Sequence, residues 1–136
     1  MQKTLSVRTR SRTSLVDITG DVRAAVAELG VTDGAVLVYV PHTTAAVTIN
    51  ESADADVARD IGAKLSDLVP VSGDFRHSEG NSDAHVKSSI VGCSETVLVR
   101  GGDLVLGTWQ GIFFCEFDGP RTRNVVVGVL GVSEQG

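Results

Sequence analysis

The chain alternates short apolar runs with polar breaks, and the period of each run names its element. Leu5 to Thr9 and Leu15 to Ile18 read as strands. Thr19 then stands as an N-cap, Val22, Val26 and Leu29 recur at helical spacing, and Gly30 supplies the stop. Ala35 to Val40 (AVLVYV) is almost wholly apolar and β-prone, the pattern of a buried central strand. Pro41 and His42 break it, and Thr44 to Asn50 (TAAVTIN) resumes as another strand. From Ser52 the period changes: Val57, Ile61, Leu65 and Leu68 predict an amphipathic helix, with Asp54 and Asp56 at its positive end and Pro70 closing it. Residues 72–89 are polar, without period, and read as a loop. A hairpin follows, Thr96 to Arg100 and Leu104 to Leu106 about Gly101-Gly102-Asp103, and then two long strands, Trp109 to Phe117 and Asn124 to Val132.

Strands dominate and two main helices interrupt them. This predicts a compact α+β domain with a largely antiparallel or mixed sheet, or a sandwich; the absence of an alternating βαβ order excludes a Rossmann-type fold. At 136 residues, with no internal repeat or linker, one domain over 1–136 accounts for the chain. Its net charge of −5 argues against nucleic acid and against anionic membranes as partners. No apolar run approaches the ~20 residues of a membrane helix, and the basic N-terminus lacks the apolar core of a signal peptide, so a cytoplasmic protein is expected. Cys93 and Cys115 form no CxxC pair and are expected to be reduced, buried small residues.

Four polar groups carry candidate chemistry. His42 lies at the break between two apolar strands, and His77 and His85 lie in the polar segment HSEGNSDAHVKSS. Three neutral imidazoles suit zinc with an open position for water or substrate, although their spacing matches no standard zinc pattern, and each alone also fits a hydrogen-bonded structural residue. Carboxylates and amides nearby, Glu51, Asn50, Asn81 and Asp83, can orient a ligand or move a proton; Asp54 and Asp56 fit a solvated helix start better. In DGPRTR, Asp118 precedes Arg121 and Arg123, which at alternate positions can point the same way and clamp a phosphate or carboxylate, or be ordinary surface charges. In GTWQG, Trp109 beside Gln110 offers a flat face for a ring, while a buried core tryptophan is the commoner explanation.

HTTAAVTINE at 42–51, HSEGNSDAHVKSSIVG at 77–92 and GGDLVLGTWQGIFFCEFDGPRTR at 101–123, in this order, resemble the YjbQ-like family, also named secondary thiamine-phosphate synthase. The resemblance implies a homotrimer with a polar pocket near a subunit boundary. It also implies formation of thiamine phosphate from a thiazole phosphate and a pyrimidine pyrophosphate. Matched position by position, His42, His77 and His85 become metal ligands, and Glu51, Asp83 and Lys87 catalytic groups. Asn50, Asn81, Trp109, Gln110, Asp118, Arg121 and Arg123 become substrate-binding residues.

The combined expectation is a metal-dependent enzyme acting on a small phosphorylated or anionic molecule. Zinc suits the imidazoles, with magnesium the alternative for a pyrophosphate-releasing transferase. The rivals are a zinc-assisted hydrolase and a nonenzymatic trimer that binds a metal or small ligand.

Overall fold

The computed structural model describes residues 1–133, so the last three positions of the 1–136 reading lie outside the described residues. Two antiparallel sheets form the body. Sheet A carries β1 (Gln2–Arg8), β8 (Thr122–Val132), β3 (Gly34–Tyr39), β5 (Ser94–Arg100) and β6 (Asp103–Leu104) in that spatial order. Sheet B carries β2 (Ser14–Asp17), β7 (Gln110–Glu116) and β4 (Ala45–Glu51), with β7 in the middle. The fold is α+β and strand-rich, as the alternation predicts.

Period-two alternation decides what each strand buries. Val36 and Val38 of β3, Val97 and Val99 of β5, and Val125 and Val127 of β8 face inward and meet Val47, Ile112 and Phe114 of sheet B. Helix α1 (Thr19–Glu28) adds Val22 and Val26 to this core. Each fully buried valine contributes roughly 1.5–3 kcal/mol. On the outer face of sheet B a smaller cluster, Ala46, Cys115 and Phe117, is covered by α2 (Ala55–Leu68) and α3 (Ser82–Val91). The β5–β6 turn places Gly101 and Gly102 at φ +59° and +78°, the left-handed pair that such a hairpin requires.

The structure corrects four sequence expectations. Thr19 is the first helical residue rather than the cap; its N–H and hydroxyl both donate to Asp17 Oδ1. Residues 72–89 are not loop throughout, since a third helix, α3, starts at Ser82 and places His85 within a helix, not at a break. Its inward face is polar, with Ser82, Asp83 and Lys87 buried, so no apolar period announced it. Trp109 is 63% exposed and not a core residue, and Cys93 is exposed while Cys115 is buried. Among the described residues no helix is long and apolar enough to cross a membrane.

Candidate functional site

A cleft of about 730 Å³ opens where the β3–β4 connection, α3 and the β7–β8 turn meet. His42, Asn81, His85, Asp118, Arg121 and Arg123 all line it, so three segments distant in sequence supply one rim. Ser88 Oγ of α3 donates to the Thr43 carbonyl at 2.7 Å and ties the helix to the loop that carries His42.

The floor is an ion pair that strand alternation puts inside the protein. Arg123 has the same parity as Val125 and Val127, so it points inward and is only 3% exposed. Its Nε donates to Glu116 Oε1 at 2.9 Å and its Nη2 pairs with Glu116 Oε2. Nη2 also donates to Thr44 Oγ1 and to the Thr44 carbonyl. Glu116 receives further bonds from Thr9 Oγ1 at 2.7 Å and from the Asp118 N–H at 3.1 Å. Burial alone would raise the Glu116 pKa, but the bonds from Arg123 and Thr9 outweigh it and hold the carboxyl below the ordinary range. Arg123 Nη1 has no hydrogen-bond partner among the described residues, and Arg123 borders the cleft.

Arg121 lies just ahead of β8 and is exposed. Its Nε donates to the Asp118 carbonyl and its Nη2 pairs with Asp118 Oδ2, each at 3.0 Å. Asp118 Oδ2 also accepts from Asn81 Nδ2 at 2.9 Å. The two arginines therefore reach the same cleft at different depths, one braced by a buried acid and one by an exposed turn. Gly119 makes that turn possible: a Cβ there would lie 2.4 Å from the Ser11 carbonyl oxygen and 2.8 Å from Glu116 Cγ.

The imidazoles differ in what they have free. His42 Nε2 accepts the Asn124 N–H at 2.9 Å, which makes Nδ1 the protonated nitrogen of the neutral ring. Burial, with Arg123 nearby, pushes its pKa below the ordinary imidazole range. His77 Nε2 faces Asn81 Oδ1 at 3.0 Å, with Glu79 Oε2 at 3.7 Å. His85 stands edge-on to His77, ring centroids 5.5 Å apart, and its ring nitrogens have no partner among the described residues. As these rings stand, the three histidines do not form one ligand set, and among the described residues no three His, Cys, Asp or Glu side chains are arranged to hold a metal ion.

Several expected site residues lie elsewhere. Asp83 is fully buried and Lys87 is 1% exposed; Lys87 Nζ donates to Asp83 Oδ2 at 3.0 Å, and Arg12 grips both Asp83 oxygens at 3.1 Å. Lys87 Nζ also sits 5.9 Å from the Phe117 ring centroid. This network anchors α3 from beneath, behind the cleft rather than in it. Asn50, Glu51, Trp109 and Gln110 gather at the far end of sheet B, where Glu51 pairs with Gln110 in register. The seven residues of β4 separate that end from Thr44, about 24 Å at ~3.4 Å per residue. There Asn50 Oδ1 caps the Glu51 N–H, Glu51 Oε2 accepts from Ala53, and Gln110 Oε1 accepts from Gly107, each closing a local turn. Within one chain these four residues are not part of the cleft.

Sequence reasoning overlooked Glu116, Thr9, Thr44 and Arg12. Glu116 did leave a signal: a carboxylate inside the apolar run IFFCEF has to be paired once that run is buried.

A two-layer antiparallel sandwich, backed by helices and holding an arginine–histidine cleft at one end, is the class of molecule that fold and site define. The chain belongs to the family described as UPF0047 protein YjbQ-like, whose model matches residues 3–132. It is 54% identical over 125 residues to UPF0047 protein MJ1081 of Methanocaldococcus jannaschii, covering 92% of this chain and 91% of that one. It is 52% identical over 132 residues to UPF0047 protein YugU of Bacillus subtilis, covering 96% and 100%. A YjbQ/UPF0047 family crystal structure from Clostridium acetobutylicum superposes with a TM-score of 0.91 at 50% identity, covering 94% of this chain and 99% of that one.

Proposed function

We infer that the cleft binds a small phosphorylated or otherwise anionic molecule, and that the chain is an enzyme acting on it. The observation that carries this reading is the Arg123 guanidinium. Glu116 and Thr44 fix it from below, and its Nη1 remains uncommitted at the edge of the cleft. A charged donor held in place before the ligand arrives binds an oxyanion without losing side-chain freedom. Arg121 adds an exposed second positive group, and neutral His42 adds a donor at Nδ1. His85, whose nitrogens are uncommitted, is the group suited to give or take a proton.

The family likeness makes thiamine-phosphate synthesis the named version, in which these groups would receive the negative charge on departing pyrophosphate. Zinc or magnesium would need donors beyond those one chain brings together, so the reading rests on this chain's cationic groups alone. Self-association in threes belongs to the same proposal. Its support is the outer face of sheet A, where Tyr39, Leu98 and Leu130 are each at least 42% exposed on adjacent strands. Tyr39 also borders the cleft, so a second copy seated on that face would stand beside the ligand.

Overexpression in a strain lacking thiamine-phosphate synthase tests the activity. Restored growth that His85→Ala or Arg121→Ala abolishes is the expected result. Failure of well-expressed wild-type protein to restore growth sinks the synthase version. A monomeric mass in solution sinks the assembly.

A further inference from the structure

We propose that the N-terminal end of α3 is a second oxyanion subsite, one that takes inorganic hydrogen phosphate. It shares only His85 with the main cleft and does not rest on the activity inferred above. Helix α3 is ten residues long, and its N-cap residue Asn81 does not cap it. The Asn81 side chain is turned away, its oxygen toward His77 Nε2 and its nitrogen toward Asp118 Oδ2. The first N–H groups of the helix, those of Ser82 and Asp83, are thus without a capping side chain.

Ser82 points to a ligand independently. It is only 8% exposed, and its Oγ has no hydrogen-bond partner among the described residues. Buried hydroxyls are normally paired, and an oxyanion would accept this one. Ser82 lines a cleft of about 440 Å³ together with His77, His85 and Arg76, whose guanidinium supplies positive charge and further donors. Asp83, the acid of the first turn, does not oppose an anion, because Arg12 and Lys87 neutralise it on the other side.

Two other acids face this end. Glu79 lies 3.7 Å from His77 Nε2, and Asp74 lines the cleft itself. Asp74 selects the ligand class. A carboxylate repels an anion with no proton to give, but it accepts a hydrogen bond from a phosphate that keeps one proton. Sulfate lacks that proton at neutral pH and is disfavoured.

Amide ¹H–¹⁵N spectra of the full chain, titrated with inorganic phosphate and separately with sulfate, decide the matter. Saturable shifts at the Ser82 and Asp83 amides are expected with phosphate, and at least several-fold weaker binding with sulfate. Ser82→Ala should weaken phosphate about fivefold, as expected for one lost hydrogen bond. Arg76→Ala, at an exposed position whose loss leaves the fold intact, should weaken it about tenfold. Arg121→Ala, which strips the main cleft, should leave these shifts in place. Non-saturating shifts at Ser82 and Asp83, equal binding of sulfate, or loss of the shifts in Arg121→Ala would each overturn the subsite.

Discussion

Arg123 stands at the edge of the cleft because Glu116 holds it from beneath, with Nε and Nη2 both on the one carboxylate. Neither residue is more than 3% exposed, so each is the opposite charge that compensates the other's burial. Glu116→Ala should therefore cost about 3–5 kcal/mol, the scale for removing one partner of a buried pair. Urea denaturation measures it. A loss under about 1 kcal/mol, the scale of an exposed pair, would mean that Arg123 finds another acceptor.

Acid should unfold the protein in two stages. The folded His42 pKa lies below its unfolded value of about 6.5. As pH falls from there, the unfolded chain takes up a proton that the folded chain refuses, and stability declines until the folded value is passed. Glu116 and Asp83 are also depressed, so their contribution is complete above the ordinary carboxylate range and is lost as pH falls through their folded values. Denaturation midpoints from pH 8 to pH 3 should show both declines, and His42→Gln should flatten the upper one.

Lys87 should behave as an anchor rather than as a reacting group. Lys87→Met keeps the aliphatic length over Phe117 and leaves Asp83 with Arg12 alone. A stability loss of roughly 1–3 kcal/mol, with ligand affinity in the main cleft unchanged below the melting range, is the expected outcome. Lost affinity at full stability would return Lys87 to the site.

Thiol chemistry separates the two cysteines. Burial pushes the Cys115 pKa up to about 12, so it is protonated as well as enclosed, whereas Cys93 is exposed. One thiol per chain should react with an aromatic disulfide reagent in the native state, and two should react in denaturant. Ligand in the main cleft should slow the native reaction, because Cys93 borders that cleft.

Gly119→Ala should destabilise by about 1–3 kcal/mol, the scale of overpacking, since the added methyl meets the Ser11 carbonyl and Glu116. Thermal melting checks it; an unchanged midpoint would show that the 9–12 and 117–121 segments can separate without loss.

Alternating valines made the central strands of sheet A legible and short apolar runs those of sheet B, and turns were readable from Gly101, Gly102 and the Asp-Gly-Pro run. Helix α3 was not, because its buried face is Ser82, Asp83 and Lys87, and what makes that face buriable is Arg12, distant in sequence. The site was legible in part. His42, His85, Arg121 and Arg123 do border one cleft, as their motifs suggested. The alternate spacing expected to let both arginines point the same way instead sends Arg123 inward alone, since β8 begins at Thr122 and leaves Arg121 outside it. Glu51 and Trp109 were grouped with the histidines by motif alone, and the length of β4 keeps them apart in one chain.

The position of β8 between β1 and β3 also governs how the molecule comes into being. Strand β1, made first, pairs only with β8, made last, from Gln2 against Gly128 to Arg8 against Thr122. During synthesis the first strand is thus an open edge. Glu116 likewise emerges before its arginine, so the nascent chain has neither a closed sheet nor a neutralised core acid. Such distant pairing slows folding. The cleft, which needs residues from His42 to Arg123, takes shape only after Arg123 has left the ribosome.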